Sequence, residues 1–193
     1  MKDKTKKILN SAFLIVFIGS MVIGFSFPGF FNADSGASQK YGKFNFVRKG
    51  IQWSTYVNSK ELLTSYYPAE VNTIYIEPQI LQMISGKYEI DSTADINSTA
   101  IKTIYQAQYD MASMMNFHFG AFMRAGVTTN NTQNIEVITC NQSTEFIPVI
   151  YFRESNETRA FKDGSCIIAE AESAQDFARI KDRILYGLLG IIG

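Results

Sequence analysis

Residues 88–127 read YEIDSTADINSTAIKTIYQAQYDMASMMNFHFGAFMRAGV. A short strand pattern at 88–90 opens the stretch. Across 98–117, Ile101, Ile104, Tyr105, Met111 and Met115 recur at helical spacing. Residues 119–127 return to strand character. Strand, helix, strand in this order predicts a parallel crossover, because two parallel neighbours need a connection long enough to return along the sheet. The stretch therefore points to an α/β or α+β fold rather than an all-β or all-α one.

Upstream, residues 44–47 and 51–57 alternate apolar with polar side chains around Arg48-Lys49-Gly50, a β-hairpin signal. A third strand is expected at 62–67, stopped by Pro68, and another at 71–76. Residues 78–84 suit a short helix that Gly86 ends. Downstream, strands are expected at 135–140, 147–152, 158–161 and 166–169, with Ser155-Asn156 and Asp163-Gly164 as hairpin turns. For the last helix, Ser173 suits the cap and Asp176 follows three residues later. Phe177, Ile180, Ile184, Leu188 and Ile191 form its apolar stripe, while Arg179, Asp182 and Arg183 are expected to face elsewhere, the last two pairing locally. The expected domain, residues 44–193, has a mixed sheet carrying two principal helices, one at the C-terminus.

The N-terminal residues have a different character. No charged residue occurs from Ile8 to Ala33, and the apolar run of residues 8–27 is long enough to cross a hydrocarbon core of about 30 Å. Lys2, Lys4, Lys6 and Lys7 precede it, which places the N-terminus in the cytoplasm and everything after the run outside. The expected organisation is a cytoplasmic tail at 1–7, a transmembrane helix at 8–31 in contact with lipid, a linker at 32–43 and the folded domain. A cleaved signal peptide competes with this reading, with cleavage after Ala33 or Ala37. The apolar run exceeds the usual signal length, and Phe31-Asn32-Ala33 lacks a small residue at its first position. Ser20 and Gly24 form a small-xxx-small pair that would let two such helices approach, although this is also ordinary membrane-helix composition.

Charge excludes one large class of partner. The chain is formally neutral, with +3 in the first seven residues and therefore −3 in the rest. A mildly acidic domain with no Lys/Arg cluster is expected to be a poor nucleic-acid binder, because phosphate contacts need concentrated positive charge.

Cys140 and Cys166 both fall on the translocated side, where an even count favours a disulfide. Each is expected at a strand edge. The competing reading is thiol chemistry, since Cys140-Asn141-Gln142-Ser143 matches a C-x-x-S pattern. A reactive thiol of that kind sits at a helix N-terminus, whereas strand sequence follows here. Asn97, Asn130, Asn141 and Asn156 each begin an Asn-x-Ser/Thr sequon, a signal for surface glycosylation.

Other chemistry is sparse. His118 is the only histidine and lies among apolar neighbours, so packing is the expected role; a hydrolytic role would run through it. The chain has too few ligands for zinc and no phosphate loop, dinucleotide fingerprint or nucleophile elbow. Neither a cofactor nor a resident metal is expected. Glu89, Asp91 and Asp95 could offer oxygens to Ca²⁺, but a solvated loop is the simpler expectation. Glu170 and Glu172 are placed near the last helix start, where negative charge suits the dipole. Tyr66-Tyr67-Pro68 suits packing or a partner surface.

One resemblance covers most of the domain. Cys140, Pro148-Val149-Ile150, Cys166-Ile167-Ile168, Asp182-Arg183, Tyr186 and Gly190-Ile191, with Trp53, Tyr67-Pro68 and Val71 upstream, are similar to a pattern of uncharacterised archaeal single-pass membrane-anchored envelope proteins. The resemblance implies an envelope location and a cysteine pair, and no catalytic residues. The expectation is a non-enzymatic domain that binds another envelope protein or a translocated polypeptide. The alternatives are an envelope enzyme, thiol-redox through Cys140 or hydrolytic through His118, and a pilin-like subunit, for which no prepilin-peptidase site is evident at Lys6-Lys7-Ile8.

Overall fold

The computed structural model describes residues 37–193. The segment expected to be a transmembrane helix, with Ser20 and Gly24, lies outside them. Among the described residues no helix is long and apolar enough to cross a membrane.

The fold is mixed α and β, and its strands divide into two sheets. The first is a four-stranded antiparallel meander: β1 (Ser38–Tyr41), β2 (Phe44–Lys49), β3 (Gln52–Val57) and β4 (Lys60–Thr64). Its turns are tight, and at the β3–β4 turn Asn58 and Ser59 both take positive φ, 51° and 63°, as a two-residue hairpin requires. Part of the segment read as linker is thus the strand β1. The meander completes its pairing locally, so it shares no ladder with the strands that follow.

After β4 the expected strand at 62–67 stops early. The amides of Ser65 and Tyr66 donate to the Asp182 carboxylate at 2.8 and 2.9 Å instead of to a neighbouring strand. Pro68 then opens a short helix, α1 (Pro68–Val71), with the Glu70 side chain accepting from the Tyr67 amide. Only β5 (Tyr75–Ile76) survives of the strand expected at 71–76. The helix α2 (Pro78–Ile84) follows as read.

The second sheet has six strands in the order β5-β9-β10-β8-β6-β7. β6 (Glu89–Ala94) and β7 (Phe122–Val127) pair in parallel, joined by α3 (Ile101–Phe119), which is the crossover read from residues 88–127. Gly120, at φ 67°, ends α3 with a left-handed turn. β8 (Val149–Glu154) pairs in parallel with β6 and with β10 (Cys166–Ala171). The Asp163-Gly164 hairpin is present, joining β9 (Arg159–Asp163) to β10 antiparallel. Ser155-Asn156 makes no hairpin, because β10 inserts between β8 and β9. The strand expected at 135–140 is a loop that touches β7 through one parallel bridge, Val127 to Val137. It approaches closely: a Cβ on Gly126 would lie 2.6 Å from the Glu136 carbonyl oxygen.

The last helix, α4 (Asp176–Leu188), starts one turn later than its cap was expected. Ser173 donates from its hydroxyl to Asp176 at 2.7 Å, so the acid is the acceptor and the serine is not a cap. The helix packs against α1, α2, α3 and β10. Covered on several sides, it buries polar residues that were expected to face solvent. Lys181 and Asp182 form a fully buried ion pair at 2.5 Å, and Asp182 does not pair with Arg183. Burial pushes the Asp182 carboxyl upward, against the pull of Lys181 and the two amides. Tyr186 donates to the Tyr66 carbonyl and receives the Thr64 hydroxyl, both at 2.6 Å. These bonds tie α4 to the meander.

α3 and α4 cover one face of the six-stranded sheet and form the main core with Phe46, Leu62, Ile90, Ile104, Phe152 and Phe177. Among the described residues the other face carries no α-helix. A small second core of Ile138, Val149, Cys166 and Ile168 lies there beneath the 135–148 loop.

Candidate binding cleft

The loop over that second core is held by a covalent bond. Cys140 and Cys166 form a disulfide, closing a separation of 26 residues. Cys140 opens a three-residue 3₁₀ turn rather than lying on a strand edge. Beside the bond, Ser143 and Ser165 each donate a hydroxyl to the other's carbonyl, at 2.5 and 2.8 Å. Cys166 is 1% exposed, so its sulfur is enclosed by protein.

This clamp fixes one wall of a cleft of about 380 Å³ at the amino ends of the parallel strands. The loop contributes Thr144, Glu145 and Pro148, and the β9–β10 hairpin contributes Lys162, Gly164 and Ser165. The opposite wall is α2, with Gln79, Gln82 and Met83, followed by Lys87. The lining thus combines amides, hydroxyls, two lysines and the Glu145 carboxylate with Met83 and Pro148. Neither Lys87 nor Lys162 makes an ion pair among the described residues. Tyr88 and Phe146, neighbours in sequence of Lys87 and Glu145, are 85% and 79% exposed. Phe122, whose amide donates to the Tyr88 carbonyl at 2.7 Å, is exposed as well.

A second groove, of about 310 Å³, lies at the carboxyl ends of β6 and β8. The chain leaves these neighbours in opposite directions, toward β7 and toward β9, and such a switch point is where open parallel sheets commonly bind ligands. Here the protein's own carboxylate fills the polar positions. Glu154 accepts from the hydroxyls of Ser98 and Thr99 at 2.7 and 2.5 Å, and from the Thr99 amide at 3.2 Å. Those bonds hold the Glu154 carboxyl below its usual range. Nearby, burial pushes Glu170 upward, but hydrogen bonds from Arg153 and Arg159 outweigh it and leave its pKa lowered.

The acids and aromatics singled out by sequence are engaged by other protein groups. Arg124 occupies Glu89 and Asp91 at 3.0 and 2.8 Å, and Asp95 accepts from the Asn97 amide, so the three carboxylates do not converge. Among the described residues no group of three His, Cys, Asp or Glu could hold a metal ion. Glu170 faces two arginines within the sheet rather than the helix start. Tyr67 packs on Phe46 and Trp53, and its hydroxyl donates to the Lys40 carbonyl. His118 donates from Nε2 to the Glu61 carbonyl at 3.0 Å, and burial lowers its pKa. Asn97, Asn130, Asn141 and Asn156 are all exposed.

Sequence reasoning did not identify Lys87, Lys162, Gln79 or Gln82. Lys162 precedes the Asp163-Gly164 turn that was read, but its meeting with α2 depends on a non-local contact: the Lys162 amide donates to the Glu77 carboxylate. No family model matches the chain, and neither the curated proteins nor the solved structures hold a match to it.

Proposed function

We propose that this is a non-enzymatic envelope protein, anchored by residues 8–31, whose cleft at the amino ends of the strands binds an extended segment of another polypeptide outside the membrane. The observation that carries the reading is the cleft: a clamped, preformed groove with Tyr88 and Phe146 exposed beside its rim. Exposed aromatics beside a polar groove suit protein recognition, since large rigid rings bury much area at low entropic cost. Gln79, Gln82, Thr144 and Ser165 would hydrogen-bond a peptide backbone. Lys87 and Lys162 would accept an acidic side chain or a C-terminal carboxylate. A preformed groove lowers the ordering cost of binding. The exposed sequons fit the same external location. The bound segment belongs to an envelope protein or a translocated chain.

The test is photo-crosslinking in intact membranes, with a benzophenone amino acid in place of Phe146. The expected result is a discrete adduct with a second protein that disappears when Lys87→Glu and Lys162→Glu are combined. Adducts with lipid and monomer alone would overturn the proposal.

A further inference from the structure

We propose that the outward face of the four-stranded sheet rests on the phosphate headgroups of an anionic lipid bilayer. The domain's charge is segregated along the chain. Residues 38–64 hold Lys40, Lys43, Arg48, Lys49 and Lys60 against Glu61, a net +4, while residues 65–193 hold nine cations against fifteen acids, a net −6. Formal neutrality conceals this opposition.

Strand register sorts these cations: Lys40 and Lys49 fall on the outward side of the sheet, while Arg48, opposite Trp53, and Lys60, opposite Val57, fall on the other. Lys40 lies opposite Asn45, and alternation along β2 places Asn45, Val47 and Lys49 on one side of the sheet. Tyr56 shares that side. All five are exposed, whereas Phe46 and Leu62, on the opposite side, are fully buried. Val47 is 39% exposed, Tyr56 63%, and Ile51 at the hairpin end 85%. Apolar and tyrosine side chains among lysines are the mixture that suits a membrane interface. Arg48 stacks on Trp53 and Lys49 pairs with Glu61. Lys60 donates to the Phe117 and His118 carbonyls. Lys43, in the β1–β2 turn, lies over the Phe44 ring, and neither it nor Lys40 makes an ion pair among the described residues, so these two carry the charge left for phosphate.

Chain connectivity names the occupant. The Ala37 carbonyl accepts from the Arg48 amide at 3.2 Å, so the chain enters beside the hairpin that bears Ile51. Residues 28–37 link this point to the apolar run and reach at most about 35 Å. The inference rests on the membrane-anchor reading in this respect. It leaves the acidic six-stranded part directed away from a like-charged surface.

The full chain, reconstituted in phosphatidylcholine vesicles containing phosphatidylglycerol, provides the test. An environment-sensitive fluorophore is attached to Ile51→Cys, and in a second protein to Tyr109→Cys on α3. Headgroup spin-labelled lipid is expected to quench the probe at 51 and not the probe at 109. Replacing Lys40→Gln and Lys43→Gln lowers the docked-to-undocked ratio by roughly fivefold per lysine, and vesicles without phosphatidylglycerol weaken it too. Equal quenching at 51 and 109, or quenching at 51 unaffected by the lysine substitutions, would overturn the inference. An alkaline carbonate wash separates the two readings: release of the chain from the vesicles defeats the anchor, while quenching at 51 continues to report on docking alone.

Discussion

The two ends of the six-stranded sheet are finished in opposite ways. At the carboxyl end, where topology favours a ligand, Glu154 and Glu170 already occupy the donors that a ligand would use. At the amino end a disulfide and a reciprocal serine pair hold a groove lined by two lysines, and Tyr88 and Phe146, which follow the lining residues Lys87 and Glu145, are exposed. Topology thus offers a location, and local side-chain chemistry decides whether it is vacant. At the amino end the loop is held by a covalent bond, and among the described residues no α-helix covers that face of the sheet.

The sharpest way to break this contrast is to remove the covalent bond. Cys140→Ser with Cys166→Ser is expected to lower unfolding free energy by about 3–4 kcal/mol, from loop-closure entropy. Hydrogen exchange should speed up across residues 140–148 while the Ser98 and Thr99 amides keep their protection. Equal loss at both ends would remove the distinction. Next in size, Glu170→Ala leaves Arg153 and Arg159 without their shared partner and is expected to cost about 2 kcal/mol in urea unfolding. Glu154→Ala, at the more exposed position, is expected to cost about 1 kcal/mol.

The same carboxylates predict a pH signature of the carboxyl end. Their folded pKa values are lowered, so their stabilisation is present above the unfolded carboxylate range and is lost as pH falls through the folded values. The wild-type protein should therefore lose more stability as the pH falls below the ordinary carboxylate range, about 4, than Glu154→Ala with Glu170→Ala does, as thermal melts at each pH would show. The smallest effect on stability belongs to the cleft. Lys87→Glu and Lys162→Glu should each change unfolding free energy by less than about 0.5 kcal/mol, although together they abolish the crosslink from position 146. A large destabilisation would mean that the lysines serve the fold.

Much of the order of elements was legible in sequence. The crossover at 88–127, the first hairpin, the Asp163-Gly164 turn and the terminal helix depend on periodicity and local turn chemistry. Errors arose where a distant group supplied the hydrogen bonds. Ser65 and Tyr66 left their strand for Asp182, more than a hundred residues away. Residues 135–140 have strand-like composition but make a single bridge, since Glu136 turns to Arg124 and Ile138 packs into the second core. Asp182 looked like a surface residue because no helical period reports that other elements cover the polar side.

The sequence by itself determined the elements that rest on local interactions, the pairing of the only two cysteines and the separation of a long uncharged apolar run from a polar domain. Only the tertiary structure decided that the strands form two sheets, that β10 lies between β8 and β9, and that α2, the 144–148 loop and the β9–β10 hairpin enclose one cleft. Local backbone preference sets an element within a few residues. Which strands share a ladder and which side chains share a cavity depends on burial summed over the whole domain, and that sum is not contained in any single stretch of sequence.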